Sequence, residues 1–251
     1  MRSIAYCKVA VSPIRKETKD ASEIVSQLLF GELVDILEVH NQWCYIRTYA
    51  DAYEGWVDNK QIQILREKEA KRWMDGLIVE HALSRQLEGP EGKIWITAGA
   101  FRPIDGVKEF EIGKNSYRFL DEANEIPDSI CTYAKQFLNV PYLWGGKSIY
   151  GIDCSGLVQL IYRVYDFQLP RDAYQQAEHG MLVDFENRMA GDLAFFVNDQ
   201  GHIHHVGMLM GKDEIIHAHG YVRVDTFEKE GITRKIDGVL SHKLFQIKRL
   251  R

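Results

Sequence analysis

Residues 154–165, CSGLVQLIYRVY, place the strongest constraint on the fold of this chain. Apolar side chains cover most of the surface of a helix in this run, at Leu157, Val158, Leu160, Ile161 and Val164. Such a helix is buried on most sides and needs other elements packed around it. The segments that follow, DLAFFV, HVGMLM, EIIHAHG and VRVDTF, read as strands. Helices followed by an antiparallel meander predict an α+β domain over residues 125–251.

The first half of the chain has a different pattern. LVDILEVH, WCYIRT, EGWVD and IQIL alternate apolar and polar residues between turn signals, which predicts a small β-barrel over residues 1–65. Residues 66–124 contain further strand-like segments and predict a second small β-domain or a spacer. We expect the charged stretch REKEAKR between them to be a solvated connector.

Charge and composition exclude several classes of partner. The net charge of -5 argues against nucleic acid or an anionic membrane surface as the main partner. There is no run of 18 apolar residues, so no membrane span is expected. The N-terminus lacks the apolar core of a secretory signal, and the four scattered cysteines form neither a disulfide framework nor a CxxC pair. These features favour a location in the reducing cytoplasm.

Cys154 stands at the start of the buried helix, and this position suits a nucleophile. The positive end of the helix dipole and the free amides of the first turn stabilise a thiolate, and the same amides can stabilise an oxyanion. Asp153, the residue before it, opposes thiolate formation and needs its own explanation. A cysteine that merely packs at a helix start is the alternative.

A base for this cysteine is available in GHIHHVGMLMGKDEIIHAHG, where five of the nine histidines lie. His205 and His217 fit a Cys–His pair with a third orienting group. A two-residue turn at Lys212-Asp213 would place them on opposite faces of the sheet, so the hypothesis requires an odd loop length or a bulge. The alternative is zinc binding by His-x-His-His and His-x-His. Because alternation along the strands would divide these histidines between two faces, we expect no metal site and no cofactor.

Five motifs in order, PYLWGG, DCSGLVQ, LPRDAYQQ, HHVGMLMG and IIHAHG, resemble the NlpC/P60 family of papain-like cysteine peptidases that act on bacterial cell-wall peptides. The resemblance covers about residues 125–240. SEIVSQLLFGE and AYEGWV in the first half resemble a bacterial SH3-like domain. The resemblance therefore implies an α+β, papain-like catalytic domain preceded by one or two small SH3-like barrels.

The resemblance also implies roles for individual residues. It makes Cys154 the nucleophile, His205 the general base and His217 the orienting residue. The hydroxyl of Tyr142 and the amide of Cys154 would form the oxyanion hole.

In the most similar subgroup, an acid before the cysteine acts with an acid and a tyrosine of the SH3-like domain to receive the free α-amine of the substrate. Asp153, Glu23 and Tyr53 match these roles, with Glu32 and Glu54 as competitors for the second acid. Ser155 matches the position that contacts the D-glutamate carboxylate. A serine that some relatives carry after PRD is Ala173 here, which weakens that last assignment.

The function implied by the resemblance is hydrolysis of the γ-D-glutamyl-L-diamino acid bond in murein peptides with a free N-terminal L-Ala, for cell-wall recycling. The partner would be this small peptide. An exported hydrolase of polymeric peptidoglycan and a non-catalytic wall-binding protein are the alternatives. The sequence leaves open whether lysine or diaminopimelate follows the scissile bond, and it gives no oligomeric state.

Overall fold

The structure is a computed structural model that describes residues 3–122 and 125–250. The chain forms two compact units, residues 1–126 and residues 127–251. Within the described residues, no helix is both long enough and apolar enough to cross a membrane.

The first unit begins with an antiparallel sheet of seven strands in the order β3-β2-β6-β5-β4-β1-β7. A 3₁₀ turn at Asn59–Gln61 precedes its last strand. The strands are β1 (Ser3–Cys7), β2 (Val11–Arg15), β3 (Ile24–Leu29), β4 (Leu33–His40), β5 (Trp43–Thr48), β6 (Glu54–Asp58) and β7 (Ile62–Leu65).

The rest of this unit adds one helix, a four-stranded sheet in the order β10-β9-β13-β12, and a two-stranded pair of β8 and β11. The elements are α1 (Glu67–Met74), β8 (Leu77–Val79), β9 (Ser84–Gly89), β10 (Gly92–Thr97), β11 (Phe101–Pro103), β12 (Glu109–Ile112) and β13 (Asn115–Phe119).

Strand β1 contributes to two hydrophobic cores. Ala5 and Cys7 lie in a core formed by the seven-stranded sheet alone. Ile4 and Tyr6, which point to the opposite face, lie in a second core that also contains residues of α1 and of the four-stranded sheet. The two sheets of this unit therefore share one core, while the predicted division into domains 1–65 and 66–124 stays a prediction.

The expected solvated connector after residue 65 is wrong, because residues 67–74 form helix α1. Ala70 and Trp73 are three residues apart and give this charged helix one apolar edge, which is buried in the second core. The indole Nε1 of Trp73 also donates a hydrogen bond to the carbonyl of Gly31 at 2.9 Å.

The second unit is an α+β fold with a seven-stranded antiparallel sheet in the order β16-β22-β17-β18-β19-β20-β21. A further pairing between β21 and β22 closes six of these strands into a ring. The elements are α2 (Ile130–Lys135), β14 (Lys147–Ser148), β15 (Gly151–Ile152), α3 (Cys154–Val164), α4 (Ala173–Gln176), β16 (Met181–Val183), a 3₁₀ turn (Phe185–Asn187), β17 (Leu193–Val197), β18 (Ile203–Leu209), β19 (Glu214–His219), β20 (Tyr221–Phe227), β21 (Gly231–Thr233) and β22 (Leu240–Arg249).

Helix α3 is the buried helix that the sequence predicts, and all of its residues are buried. It packs against β18 and β19. One apolar cluster, which includes Phe196, Leu209, Ile215 and Phe227, fills part of the ring of strands. Strands of this ring also carry buried polar side chains, His205 on β18, His217 on β19, Asp225 on β20 and His242 on β22.

Gly31 provides a test of the shared core in the first unit. Its φ of +79° favours glycine, and a Cβ there would lie 2.5 Å from the carbonyl oxygen of Phe101. We expect Gly31→Ala to lower the free energy of unfolding by about 2–4 kcal/mol, from left-handed backbone strain plus overpacking.

Gly106→Ala is the matched control, because Gly106 has a φ of +86° and no atom within 4 Å of its Cβ position. It should cost about 1–2 kcal/mol, from backbone strain alone. Urea denaturation of the two variants measures the difference, and equal losses would show that the close approach to Phe101 costs nothing.

Candidate active site

Cys154 is the first residue of α3, and Asp153 caps this helix by accepting a hydrogen bond from the amide of Gly156 at 2.7 Å. The Cys154 side chain is 7% exposed. Gly156 is required here, since a Cβ on it would lie 2.2 Å from the carbonyl oxygen of Gly146. The loop before the helix therefore passes close to its first turn and holds the cysteine at the helix start.

The charge of Asp153 is balanced by a buried arginine. Arg171 is 2% exposed and contacts both carboxylate oxygens of Asp153, at 3.0 and 2.6 Å. The same guanidinium donates to the hydroxyl of Ser155 at 2.8 Å. Because this ion pair offsets part of the charge of the acid next to the thiol, it supplies an explanation for Asp153.

The register of strands β18 and β19 brings His205 and His217 to one face. Leu209 pairs with Ile215, so five residues, an odd number, connect the paired positions. This is the loop length that the hypothesis requires. The Nε2 atom of His205 lies 2.8 Å from Nδ1 of His217, and both side chains are buried.

Asp225 on β20 extends this pair. Its Oδ2 lies 3.1 Å from Nε2 of His217, and its carboxylate also accepts from Arg223 and from the amide of Lys235. Although burial raises the pKa of Asp225, these hydrogen bonds lower it below its usual range, so the group is ionised. A carboxylate accepts only, so His217 carries its proton on Nε2 and accepts at Nδ1 from Nε2–H of His205. The lone pair of His205 is then on Nδ1.

Cys154 lies beside the strand of His205. Burial raises the pKa of its thiol to about 12 and Asp153 adds to this effect, while hydrogen bonding to the backbone of Val206, the charge of Arg171 and hydrogen bonding to the backbone of Ser155 oppose it. Burial also lowers the pKa of His205 well below its ordinary value. The resting state is therefore a neutral thiol and a neutral imidazole.

Tyr142 lies close enough to Cys154 for the charge of a thiolate there to affect the pKa of the Tyr142 hydroxyl. Its backbone amide donates to the carbonyl of Gly220 at 3.0 Å, which ties its loop to the β19–β20 turn. Burial raises the pKa of its hydroxyl, and the nearby Cys154 and Asp153 raise it further. Tyr142 is therefore protonated and can donate a hydrogen bond.

Glu23 and Tyr53 belong to the first unit. Glu23 lies just before β3 with Lys16 3.3 Å away, and the amide of Tyr53 donates to the hydroxyl of Thr48. Their contact with the amine of a substrate stays a prediction.

The two competitors of Glu23 for that role are engaged within their own unit. Glu32 is buried and accepts from the amide of Leu29 at 2.8 Å. Glu54 is bound by Arg47 and Tyr45.

Three buried contributions near the predicted set were not predicted from the sequence: Asp225, His242, and the pairing of Arg171 with Asp153. The ring of His242 stacks on that of His205, with centroids 4.0 Å apart. The alternating charges of VRVDTF, directly after the strand of His217, are a signal that could have found Asp225. His242 lies on the last strand, and nothing local to it indicates the contact.

Comparison with known proteins identifies the family. Residues 139–241 match the NlpC/P60 family, and residues 14–62 match the bacterial dipeptidyl-peptidase Sh3 domain. The gamma-D-glutamyl-L-lysine dipeptidyl-peptidase of Bacillus subtilis strain 168 is 31% identical over 216 residues, which cover 78% of this chain and 72% of the relative. The chain belongs to the NlpC/P60 family. It is a peptidase, as the family resemblance predicts.

Other relatives agree with this assignment. The enzyme of the same name from Bacillus cereus ATCC 10987 is 28% identical over 79% of this chain and 68% of the relative. The crystal structure of an NlpC/P60 family protein from that strain superposes with a TM-score of 0.79 and 21% identity, covering 98% of this chain and 99% of the other. It confirms the predicted fold class of a papain-like α+β domain preceded by an SH3-like domain.

Asp225→Asn tests the tautomer assignment in this NlpC/P60 peptidase. An asparagine amide can donate to Nε2 of His217. The proton of His217 then lies on Nδ1 and is donated to Nε2 of His205, which leaves the proton of His205 on Nδ1. In a serine-peptidase triad, replacing the aspartate that sets the tautomer of the base by asparagine lowers kcat about 10⁴-fold. Asp225 acts on the base through His217, so we expect a fall of about 10²–10⁴ with little change in KM. Steady-state kinetics on folded protein measure this split.

Asp192→Asn is the control, because Asp192 is a buried aspartate of the same unit that is held by Arg249. It should lower stability and leave kcat per folded molecule unchanged. A D225N enzyme with full kcat would contradict the assignment.

The buried histidines make stability depend on pH. Burial lowers the pKa of His205 and His217, and that of His242 to about 3. The unfolded chain therefore binds more protons below pH 6.5, and the free energy of unfolding falls between pH 7 and 5, by up to about 1.4 kcal/mol per pH unit for each histidine.

Denaturation at several pH values checks this prediction, and His242→Phe should make the slope smaller. Asp225, with its lowered pKa, stays ionised across this window. A free energy of unfolding that stays constant or rises toward pH 5 would contradict the prediction.

Proposed function

We propose that this peptidase hydrolyses the γ-D-glutamyl-L-diamino acid bond of small murein peptides with a free N-terminal L-Ala and releases L-Ala-γ-D-Glu. The observation that carries the proposal is the hydrogen-bonded chain Asp225–His217–His205, next to a helix that begins at Cys154. The names of the two Bacillus relatives support the choice of bond.

In the proposed mechanism, Cys154 is the nucleophile and His205 the general base. As the sulfur attacks the γ-glutamyl carbonyl, Nδ1 of His205 accepts the thiol proton. His217 and Asp225 stabilise the resulting imidazolium. The amide of Cys154 and the hydroxyl of Tyr142 donate to the oxyanion. The imidazolium then protonates the leaving amine of the diamino acid. In the second half of the reaction His205 takes a proton from water, which attacks the thioester carbonyl, and then returns that proton to the sulfur of Cys154.

The neutral resting pair has a consequence for this mechanism. The thiol pKa of about 12 makes a preformed thiolate rare, so proton transfer accompanies attack. Stabilisation of the developing charges therefore occurs mainly in the transition state, where it accelerates the reaction.

The proposed site for the substrate amine contains Asp153. The carboxylate of Asp153 already accepts from Gly145, Gly156, Ser155 and two nitrogens of Arg171. Since a carboxylate has about four lone-pair sites, an ammonium group can bind there only by displacing a donor. Glu23 and Tyr53 are the other proposed contacts. The hydroxyl of Ser155 is the proposed contact for the D-glutamate carboxylate, and to donate there it must turn its one proton away from Asp153.

The preference for a free amine places the reaction late in wall breakdown. The amine of L-Ala is free only after its amide bond to the glycan has been cleaved, so an amidase-type reaction must come first. We therefore propose that the peptidase recycles released peptides in the cytoplasm.

The decisive experiment compares L-Ala-γ-D-Glu-L-Lys with its N-acetylated form. We expect kcat/KM for the free peptide to exceed that of the acetylated peptide at least about 100-fold, since acetylation removes the positive charge that the carboxylates of Asp153 and Glu23 are proposed to bind. Chromatography of released lysine measures both rates, and the diaminopimelate tripeptide in parallel identifies the preferred residue after the bond.

Cys154→Ala provides the blank and should be silent with every substrate. Equal cleavage of the free and acetylated peptides would contradict the amine requirement and favour a hydrolase of polymeric wall. Glu23→Gln should raise KM for the free peptide only, and an unchanged KM would remove Glu23 from the proposal.

A further inference from the structure

The imidazole side chains of five histidines lie close to one another on the strands of the second unit. We call them the histidine cluster: His204, His205, His217, His219 and His242. The His242 ring lies 4.0 Å from that of His205, 4.8 Å from His219 and 5.8 Å from His204, between centroids. The proposed proton transfers use only His205 and His217. The other three rings have no part in that chemistry.

Three members of the cluster are close enough to share one ion. His205, His217 and His242 each offer a ring nitrogen, and these three atoms lie within 4.8 Å of one another. All three side chains are buried. The Nδ1 atom of His242 lies 2.9 Å from the hydroxyl of Ser241, which leaves its Nε2 as the available ligand atom.

We propose that His205, His217 and His242 form a binding site for a divalent transition-metal ion such as Zn²⁺, and that the bound ion inhibits the peptidase. Tetrahedral Zn²⁺ with bonds of 2.0–2.1 Å to imidazole separates its ligand atoms by about 3.3 Å. The His205–His217 pair must therefore open by about 0.5 Å from its present 2.8 Å. The ring of His242 must also rotate out of its stack on His205, since the two rings now lie at an interplanar angle of 24°.

The surroundings of the three rings fit a metal site. Each ligand must be neutral to bind, and burial keeps the pKa of all three histidines below the ordinary value. Asp225 and Ser241 hold the far side of His217 and His242, as outer partners of metal ligands commonly do. Arg223 opposes a dication, and its ion pair with Asp225 offsets this charge.

Two exposed members of the cluster mark a route for the ion. His204 and His219 are exposed to solvent, and both rings contact that of His242. An ion captured at these outer rings can pass to the buried nitrogens by exchange of one imidazole ligand for another.

Inhibition follows from the proton positions. An ion on Nε2 of His205 and Nδ1 of His217 replaces the proton that they share. That proton moves to Nδ1 of His205, because a neutral imidazole ligand carries its proton on the other nitrogen. Nδ1 can then no longer accept the thiol proton. This inhibition depends on the proposed roles of Cys154 and His205, whereas binding of the ion does not.

Cobalt(II) titration of the Cys154→Ala variant tests the site without the thiol. We expect one Co²⁺ per chain, with the ligand-field absorption of a tetrahedral nitrogen site and no thiolate charge-transfer band. In the same background His242→Phe should weaken binding at least tenfold, with His242→Gln as a second variant if the first does not fold. His202→Phe, an exposed histidine outside the cluster, is the matched control and should bind as before.

Zinc inhibition of the peptidase supplies the second readout. The Zn²⁺ concentration for half inhibition should rise at least tenfold in His242→Phe, relative to the metal-free rate of each variant. The inference would be overturned if the Cys154→Ala variant bound no Co²⁺. It would also be overturned if adding His242→Phe to that variant left the affinity for Co²⁺ unchanged. A protein that binds Co²⁺ as expected but cleaves no peptide would contradict the proposed function and leave the metal site standing.

Discussion

The hydrogen bond between Asp225 and His217 sets the chemistry of the second unit. Both groups are fully buried, and a buried carboxylate is stable only when donors surround it. Arg223, the amide of Lys235 and His217 supply those donors. Because an ionised carboxylate accepts only, one interaction between β19 and β20 determines where every proton on His217 and His205 resides.

A second buried ion pair positions the cysteine. Arg171 and Asp153 lie at the start of α3, where the carboxylate also caps the helix. The pair places a negative group beside a thiol, and the guanidinium of Arg171 offsets part of that charge. Removal of Arg171 alone would leave an uncompensated buried carboxylate next to the sulfur, which is strongly destabilising. The Arg223–Asp225 pair thus holds the histidines, and the Arg171–Asp153 pair holds the start of the helix that carries Cys154.

Local patterns predicted much of this architecture. The apolar run after Cys154 specified helix α3, and alternation specified the strands that carry His205 and His217. The motifs identified the family. The register between those strands depends on the five-residue connection of the hairpin, which the sequence could only state as a condition. Asp225 lies on the next strand after that of His217 and pairs with it, so the charge pattern of this strand is a local signal. His242 could not be found locally, since its position depends on the closure of the ring between β21 and β22. The burial of Trp73 was not predicted, because its helix is mostly charged and has only two buried residues, Ala70 and Trp73.

Strand β1 gives the first unit a property that its two sheets would not have separately. The side chains of β1 alternate between two cores. Without the four-stranded sheet, the face of β1 that carries Ile4 and Tyr6 would lose its packing partners. An evolutionary exchange that carried only residues 1–65 into another protein would expose Tyr6, Phe30 and Leu33. The second sheet and helix α1 are therefore needed to bury one face of the SH3-like segment.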